Sequence, residues 1–307
     1  MKKILGVLLT LLVVCQCVVP AFAKSNTLTL DSSYYMVEES SIGQNSLSVI
    51  KNEESVAYFE EIQKTTGYDI VSTATKEVYV IETLDEQGVI SESRFMTNDE
   101  VDEFSSKVST GVITADPVST MSNIYVGEDG GEHQGGKLTI SLVVYRDASR
   151  NYYAYGTADW YNGIYWALSG KNIPSIGYDF IGITWGGNGE LKNVAKSFSG
   201  IYQYDKGSIP SSKASSDTYA GYVWQFDEKY DLIYCADYID VYAKLQKTYS
   251  TYKGKETNIK LTYIHTYQET TGAIDIGVDS SGIAGGISLS SCEKQWHLEV
   301  DVPGITY

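Results

Sequence analysis

Residues 236–268 read ADYIDVYAKLQKTYSTYKGKETNIKLTYIHTYQ, and they contain two alternating runs of side chains. In the first run, every second position is apolar: Ile239, Val241, Ala243 and Leu245. In the second run, the same period places on one face Ile259, Leu261, Tyr263, His265 and Tyr267. Successive side chains of a strand point to opposite faces, so this period predicts two half-buried β-strands. Gly254 lies among polar residues between them and predicts a hairpin at the centre of an antiparallel sheet.

The chain around this stretch has the same character from about residue 123 to its end. Most of the aromatic residues lie here, and turn signals separate short runs that predict strands at 138–144, 152–160, 180–185, 197–204, 219–226, 273–278, 286–289 and 295–302. Many short strands without a helix between them predict a mainly β domain. We expect an antiparallel β-sandwich over 123–307, with a barrel as the alternative.

Residues 24–122 differ, because they are acidic and contain none of the five Trp and only five of the 26 Tyr. Asn52 can cap a helix that ends before Gly67, and Thr97 with Glu100 has the spacing of a capping box. Strands are predicted between the two helices, and Pro117 lies in a Ser- and Thr-rich linker. The segment therefore reads as a small acidic α+β segment and linker, which is either a fixed part of the fold or a removable pro-segment.

The first 23 residues read as a secretory signal peptide. Residues 1–3 are basic, residues 4–19 are almost wholly apolar, and small side chains stand at Ala21 and Ala23. This pattern predicts export, with cleavage after Ala23 and a secreted, extracellular protein. Lipoprotein anchoring is the alternative, but large residues precede both Cys15 and Cys17, which disfavours it.

Charge limits the classes of partner. The formal net charge is -16, and only three Arg occur in the chain. A protein of this charge repels nucleic acid and anionic membrane surfaces, and too few Arg are present for a phosphate-binding cluster. We therefore expect no nucleic-acid partner. No run after the signal approaches the ~20 apolar residues of a membrane-spanning helix, so we also expect no transmembrane anchor.

Two cysteines, Cys235 and Cys292, remain after the signal. In an exported chain they can form one disulfide, and two buried free thiols are the alternative. Residues 127–136 combine acids, one His and five Gly, which suits calcium on a flexible loop, although the spacing matches no EF-hand and a mobile entry loop is the alternative. Asp275 and Asp279 are a weaker candidate cation site of the same kind.

The densest group of large rings follows the strand at 152–160. Candidate ligand-binding residues are Trp160, Tyr161, Asn162, Tyr165 and Trp166. Rings presented from a loop can stack on sugar faces, and amides can bond to sugar hydroxyls. The alternative is that these rings fill one end of the sandwich or cover an open edge.

A second candidate surface lies on the non-core face of the strand at 236–247. It contains Tyr238, Asp240, Tyr242 and Lys244. Side chains in such a row can contact a ligand from solvent, or they can pair across neighbouring strands as in an ordinary sheet.

Evidence for catalysis is sparse. The chain has no nucleophile elbow, zinc-binding helix motif, P-loop or dinucleotide glycine motif, so no catalytic residues are assigned. His265 falls on the predicted core face. His297 shares a face with Glu299 and Asp301, which would raise its pKa.

Export, acidity and aromatic-rich strands together predict a secreted, non-catalytic binding or surface-interaction protein. Its partner would be cell-surface carbohydrate or protein. One alternative is a β-pore-forming or membrane-active protein, because the alternating hairpin resembles a barrel segment. A further alternative is a secreted hydrolase with paired carboxylates such as Glu299 and Asp301.

Overall fold

Antiparallel β-sheets with two helices packed on them make up the part of the chain that the structure describes. The structure is a computed structural model. It describes residues 46–50, 52–85, 90–109, 125–126, 132–160, 177–202, 207–227, 229–230, 234–249, 251, 254–267, 273–278, 283–290 and 294–307.

The elements follow the chain in this order: a 3₁₀ helix (Leu47–Val49), α1 (Glu53–Thr66), β1 (Asp69–Leu84), β2 (Ile90–Phe95), α2 (Asn98–Ser109), β3 (Tyr125–Val126), β4 (Glu132–Arg146), β5 (Tyr152–Trp160), β6 (Asp179–Trp185), β7 (Leu191–Tyr202), β8 (Ser211–Asp217), β9 (Gly221–Phe226), β10 (Lys229–Tyr230), β11 (Tyr234–Lys247), β12 (Glu256–Thr266), β13 (Ile274–Val278), β14 (Ala284–Leu289) and β15 (Gln295–Thr306).

Two sheets form the sandwich. The larger has eight strands in the order β10-β11-β5-β4-β1-β2, with β3 on β4 and β7 on β11. The smaller has five strands in the order β15-β12-β6-β9-β8, and β13 and β14 form a separate hairpin. All pairings among the described strands are antiparallel. The prediction of a mainly β, antiparallel fold is confirmed.

The inner faces of the two sheets share one apolar core. Period-two side chains of the larger sheet meet those of the smaller one, and the fully buried members include Val78, Leu138, Ile140, Leu142, Ala158, Ile239, Val241, Ile181, Ile183, Ile259, Leu261 and Val302. The sheets approach closely at Gly156, where an added Cβ would lie 2.6 Å from a methyl carbon of Leu261. Any side chain at this position would require Leu261 to shift.

The central hairpin predicted from residues 236–268 is wrong. Both strands exist and their alternating faces are buried as expected, but β11 pairs with β5 and β7, whereas β12 pairs with β6 and β15. The connection therefore crosses from one sheet to the other. The faces of Val241 and Leu261 oppose each other across the core instead of lying side by side. Apolar periodicity fixes which face is buried but not which strand is the neighbour.

The outer faces carry a second layer. α1 and the 3₁₀ helix pack on the larger sheet through Phe59, Tyr145 and Tyr153. α2 packs on the same face nearer β1, through Phe104 and Ile81. The β13–β14 hairpin covers the outer face of the smaller sheet, where Ile287 and Leu289 contact Phe180, Val223 and Ile264.

The helix boundaries agree with the sequence signals. The side chain of Asn52 accepts a hydrogen bond from the Ser55 amide (2.7 Å), and α1 ends at Gly67 with φ +66°. Ahead of α2, the Thr97 amide donates to Glu100 Oε2 (2.7 Å) and the Glu100 amide donates to Thr97 Oγ1 (3.4 Å). These reciprocal bonds are the capping box that the spacing predicts.

The N-terminal α+β segment shares its sheet with later strands. β1 pairs with β4 from Asp69 to Leu84, and it lies between β4 and β2. Val78 and Val80 of β1 belong to the common core. The predicted boundary between 122 and 123 therefore passes through a single sheet.

Candidate functional site

The end of β5 shows how the candidate ligand-binding residues are placed. Trp160 is only 1% exposed, and its ring lies against Tyr263 and Trp296 in the core. The period of β5 puts it on the inner face with Ala158, so the expectation that it presents its ring to a ligand is wrong. The other four candidates, Tyr161, Asn162, Tyr165 and Trp166, lie outside the described residues.

Beside Trp160 lies a buried cluster of ionisable groups. His265 Nδ1 is 3.0 Å from Asp179 Oδ2, and His265 Nε2 is 3.0 Å from Glu82 Oε1. All three residues are buried, with exposed fractions of 2%, 2% and 0% for His265, Asp179 and Glu82. Glu82 belongs to the larger sheet, and the other two belong to the smaller one. The imidazole therefore joins the two sheets through two carboxyl groups.

Each ring nitrogen of His265 faces a carboxyl oxygen. A neutral imidazole carries one N–H and can donate to only one of these oxygens, whereas an imidazolium can donate to both. Charge-assisted hydrogen bonds of this kind are strong in a low-dielectric interior.

Asp179 is further held by its neighbours on β12. The hydroxyl of Tyr263 donates to Asp179 Oδ2 (2.7 Å), and the amide of Thr266 donates to Asp179 Oδ1 (2.9 Å). The indole Nε1 of Trp160 donates to the same Tyr263 hydroxyl (3.3 Å). One tyrosine therefore ties the last residue of β5 to the first residue of β6.

Aromatic rings enclose the cluster. The ring of Trp296 lies 4.9 Å from His265, and Trp296 Nε1 donates to Ser93 Oγ (3.0 Å) on β2. With both ring nitrogens engaged and rings around it, His265 is built as a clamp between the sheets. This arrangement positions the neighbouring strand ends and offers no nitrogen to a substrate.

The carboxylates considered for hydrolysis are engaged in cross-strand contacts. Glu299 accepts a hydrogen bond from the Thr262 hydroxyl (3.1 Å). Asp301 accepts two from the side-chain amide of Asn258 (2.9 and 3.0 Å). Burial lowers the pKa of His297, which contradicts the predicted rise. The face of β15 that carries His297 is less exposed than the alternation of its residues predicted. Burial therefore disfavours the charged form of the imidazole.

The predicted surface on the outer face of β11 is largely covered. Tyr58 of α1 donates a hydrogen bond to Asp240 Oδ1 (3.0 Å), and its ring contacts Tyr238. Tyr242 lies against Tyr155 (4.7 Å), while Lys244 lies over Tyr153 (5.1 Å). These residues therefore make contacts within the protein, as in the alternative to a ligand-binding surface that faces solvent.

Metal and disulfide predictions fall mostly outside the described side chains. Within the described residues, no group of three or more His, Cys, Asp or Glu could hold a metal ion. The side chains of the loop at 127–136 lie almost wholly outside that part of the chain, as do Asp279, Cys292 and the side chain of Cys235. Calcium binding and the Cys235–Cys292 disulfide stay predictions.

Sequence reasoning missed two members of the buried cluster. Glu82 follows Val78 and Val80 at the same period, and Asp179 is the first residue of a strand that is buried throughout. Charged residues at core positions are rarely buried unless they are paired. Glu82 and His265 both stand at core positions of the alternating pattern. The rule therefore indicates that they form a buried pair.

Comparison with known proteins does not identify a family for this chain. No family model and no curated protein matches the chain. Among solved structures, the delta-toxin of Clostridium perfringens is 9% identical with a TM-score of 0.23, over 58% of this chain and 86% of the toxin. A 35 kDa C-terminal fragment of the major pilin of Streptococcus agalactiae is 9% identical with a TM-score of 0.23, over 53% and 74%.

The major pilin subunit of Bacillus cereus, BcpA, is 9% identical with a TM-score of 0.24, over 74% of this chain and 81% of the pilin chain. Scores this low carry no argument about function. Of the helices in the described part of the chain, none has the length and apolar character needed to span a bilayer.

Proposed function

We propose that the protein is a secreted, non-catalytic binding protein. Its contact with carbohydrate or other cell-surface material is the segment 161–176, through Tyr161, Asn162, Tyr165 and Trp166. These residues combine flat apolar rings with an amide, which suits sugar faces and their hydroxyls. Export rests on the basic, apolar and small-residue pattern of the first 23 residues.

One observation carries the proposal. The segment leaves β5 at Trp160 and returns to β6 at Asp179, and both residues bond to the hydroxyl of Tyr263. The described residues on either side of the segment are thus fixed to one buried point of the scaffold. Binding residues commonly lie on loops positioned by a rigid scaffold, and a fixed base lowers the entropy lost on binding.

The alternatives have less support. The hypothesis of a pore-forming protein was based on a long alternating hairpin. β11 and β12 do not form such a hairpin. The hydrolase reading started from Glu299 and Asp301, whose oxygens accept hydrogen bonds from Thr262 and Asn258. These observations favour neither a pore-forming protein nor a hydrolase as a second candidate function.

The test is a binding assay with the purified protein against intact cells, cell-wall polysaccharide and liposomes, with and without calcium. The variant is Tyr165→Ala with Trp166→Ala. Trp160 is left in place, because its removal would open the core. We expect saturable binding of the wild type to one material and a loss of at least tenfold in the variant, as for aromatic hot spots worth about 2 kcal/mol or more.

A matched control uses two exposed tyrosines elsewhere, Tyr219→Ala with Tyr249→Ala. These side chains are 47% and 63% exposed. Both tyrosines follow or precede strand ends that are opposite to Trp160 and Asp179. Tyr249 follows β11, whose Leu245 pairs with Tyr152 at the start of β5. Tyr219 precedes β9, whose Gly221 pairs with Thr184 near the end of β6. We expect this variant to bind like the wild type. Equal losses in both variants, or no saturable binding by the wild type, would contradict the proposal.

A further inference from the structure

The contact between the first turns of α1 and the larger sheet is polar. One cross-strand row on the outer face contains Glu77, Thr139, Asp159 and Tyr238, and the next contains Thr75, Ser141, Thr157 and Asp240. Most of these side chains are buried. α1 lies over them with the hydroxyl of Ser55 bonded to Thr157 (3.1 Å) and that of Tyr58 bonded to Asp240. These hydrogen bonds hold the first turns of the helix, whereas Phe59 and the rings around it pack on the sheet further along.

One polar atom in this contact lacks a partner. Among the described residues, Asp159 Oδ2 is buried and has no hydrogen-bond partner. Asp159 is 4% exposed, and its direct cross-strand neighbour is Tyr238. A buried carboxylate oxygen without a donor is costly when it carries charge.

The charges around Asp159 are mostly of its own sign. Glu54 on α1 and Asp237 on β11 disfavour its ionised form, as burial does. A hydrogen bond from the Asn52 side chain and the charge of Lys137 on β4 favour it. Lys137 is itself paired with Glu77 of β1 (2.6 Å).

Further along the same face, the carboxyl of Asp240 on β11 is bonded to Tyr58 of α1 (3.0 Å). The helix N-terminus adds a favourable dipole at Asp159, but this is smaller than a full charge. Among the described groups around Asp159, the negative charges are therefore less fully neutralised than the positive charge of Lys137.

We propose that α1 is a strap over the outer face of the larger sheet, and that its docking depends on a proton bound at Asp159. The proton neutralises a buried oxygen that has no donor. When the proton leaves, the charge remains beneath the first turn of α1 beside Glu54. Lifting the helix then relieves both the desolvation and the repulsion.

The direction of the pH effect follows from the carboxyl group. Burial, followed by the charge of Glu54, raises the pKa of Asp159 to about 7 from its ordinary value of 3.8. The docked state therefore binds the proton more tightly than a state in which Asp159 is exposed. Docking is strongest below the ordinary value, weakens as the pH rises to about 7, and changes no further above it.

The test is hydrogen–deuterium exchange of the purified protein at pH 5.5 and 8.0, corrected for the intrinsic exchange rate. We expect the α1 amides to exchange about tenfold or more faster at pH 8.0, relative to those of β12, because each pKa unit changes the opening constant tenfold. In Asp159→Asn the rise should vanish. Asp69→Asn, which changes an exposed carboxyl at the start of β1, should keep it.

A second variant guards against misfolding of Asp159→Asn. Glu54 is exposed, so Glu54→Gln should fold normally. Removing its charge lowers the proton affinity of Asp159, so the rise in α1 exchange should shift to lower pH. A wild-type helix whose corrected exchange is the same at both pH values would overturn the proposal. So would a rise that persists in Asp159→Asn or keeps its midpoint in Glu54→Gln.

Discussion

The two faces of the larger sheet come from the same strands but differ in chemistry. The inner face presents apolar side chains such as Val78, Leu142 and Val241 to the smaller sheet. The outer face presents rows of hydroxyls and carboxyls to the first turns of α1, and it packs against Phe59 only further along. Apolar burial grows with area, whereas an intramolecular hydrogen bond contributes only about 1 kcal/mol net. The inner contact therefore contributes most of the stability of the fold, and the polar part of the outer contact holds the first turns of α1 more weakly.

The largest effect should come from the polar cluster within the inner face. His265→Leu leaves Glu82 and one oxygen of Asp179 without their imidazole partner in the core. We expect the free energy of unfolding to fall by about 3–5 kcal/mol, as when one partner of a buried ion pair is removed. Urea unfolding followed by tryptophan fluorescence measures it.

The matched control for this prediction is His297→Leu on β15. The ring of His297 is only part-buried, and its Nε2 lies 3.2 Å from Gln295 Oε1. We expect a change below about 1 kcal/mol, as for a substitution that breaks no buried network. If the two histidine variants lost the same stability, the cluster would not be a clamp between the sheets.

A smaller effect is expected where the two sheets approach closely. In Gly156→Ala the new methyl group must displace Leu261, whose Cδ1 lies 2.6 Å from the ideal Cβ position. Overpacking of this kind costs about 1–3 kcal/mol. The same substitution in a Leu261→Ala background should cost less, because the space is already open.

Gly277→Ala on the outer hairpin is the comparison for Gly156→Ala. Its added Cβ would meet other atoms only at 3.5 Å, an ordinary contact. We expect a change within about 0.5 kcal/mol. Additive effects of Gly156→Ala and Leu261→Ala in thermal unfolding would mean that the sheets are not in contact at that point.

The sequence predicted which segments form helices and strands better than it predicted which strands pair with each other. Asn52 and Gly67 fixed the ends of α1, because caps act within a few residues of the chain. The alternation of Val241 and Leu261 is the same whether β11 and β12 pair in a hairpin or face each other across a core. Strand pairing depends on contacts between distant residues, which local periodicity does not encode.

The buried cluster was hidden for a related reason. His265 was placed on the core face by its period, but its partners lie 86 and 183 residues away in sequence. A polar residue at a core position signals that a partner exists and does not name it. For Trp160, the signal was ambiguous because a ring at a strand end can complete the core or contact a ligand.

On the outer face, Tyr58→Phe removes the donor to Asp240. Burial raises the pKa of the Tyr58 hydroxyl, so this group keeps its proton at neutral pH and donates to Asp240. We expect docking of α1 to weaken by about 1 kcal/mol, seen as roughly fivefold faster exchange of its amides. The amides of β12 should be unaffected, and Tyr219→Phe, at an exposed site, should change neither. Equal acceleration of α1 and β12 would show that the helix opens only with the whole fold.

The smallest effect concerns α2, which lies on the same sheet face as α1 but is held differently. A hydrogen bond from Arg94 lowers the pKa of Glu100 to about 2 from its ordinary value of 4.5. This stability is present above the ordinary value and is lost as the pH falls towards 2. Since the pair is part-exposed, we expect Glu100→Gln to cost only about 0.5–1 kcal/mol at pH 7.

The two helices should therefore respond to acid in opposite directions. Between pH 7 and pH 4.5, α1 should tighten through Asp159 while α2 stays unchanged, and below pH 4.5 α2 should loosen as Glu100 takes up a proton. Hydrogen exchange of both helices in one sample, corrected for intrinsic rates, separates the two. Parallel responses would assign both to a general effect of net charge, since the chain carries -16 at pH 7 and loses negative charge in acid. Opposite responses, each abolished by its own variant, would show that the helices on this one face are held by carboxyl groups of opposite protonation.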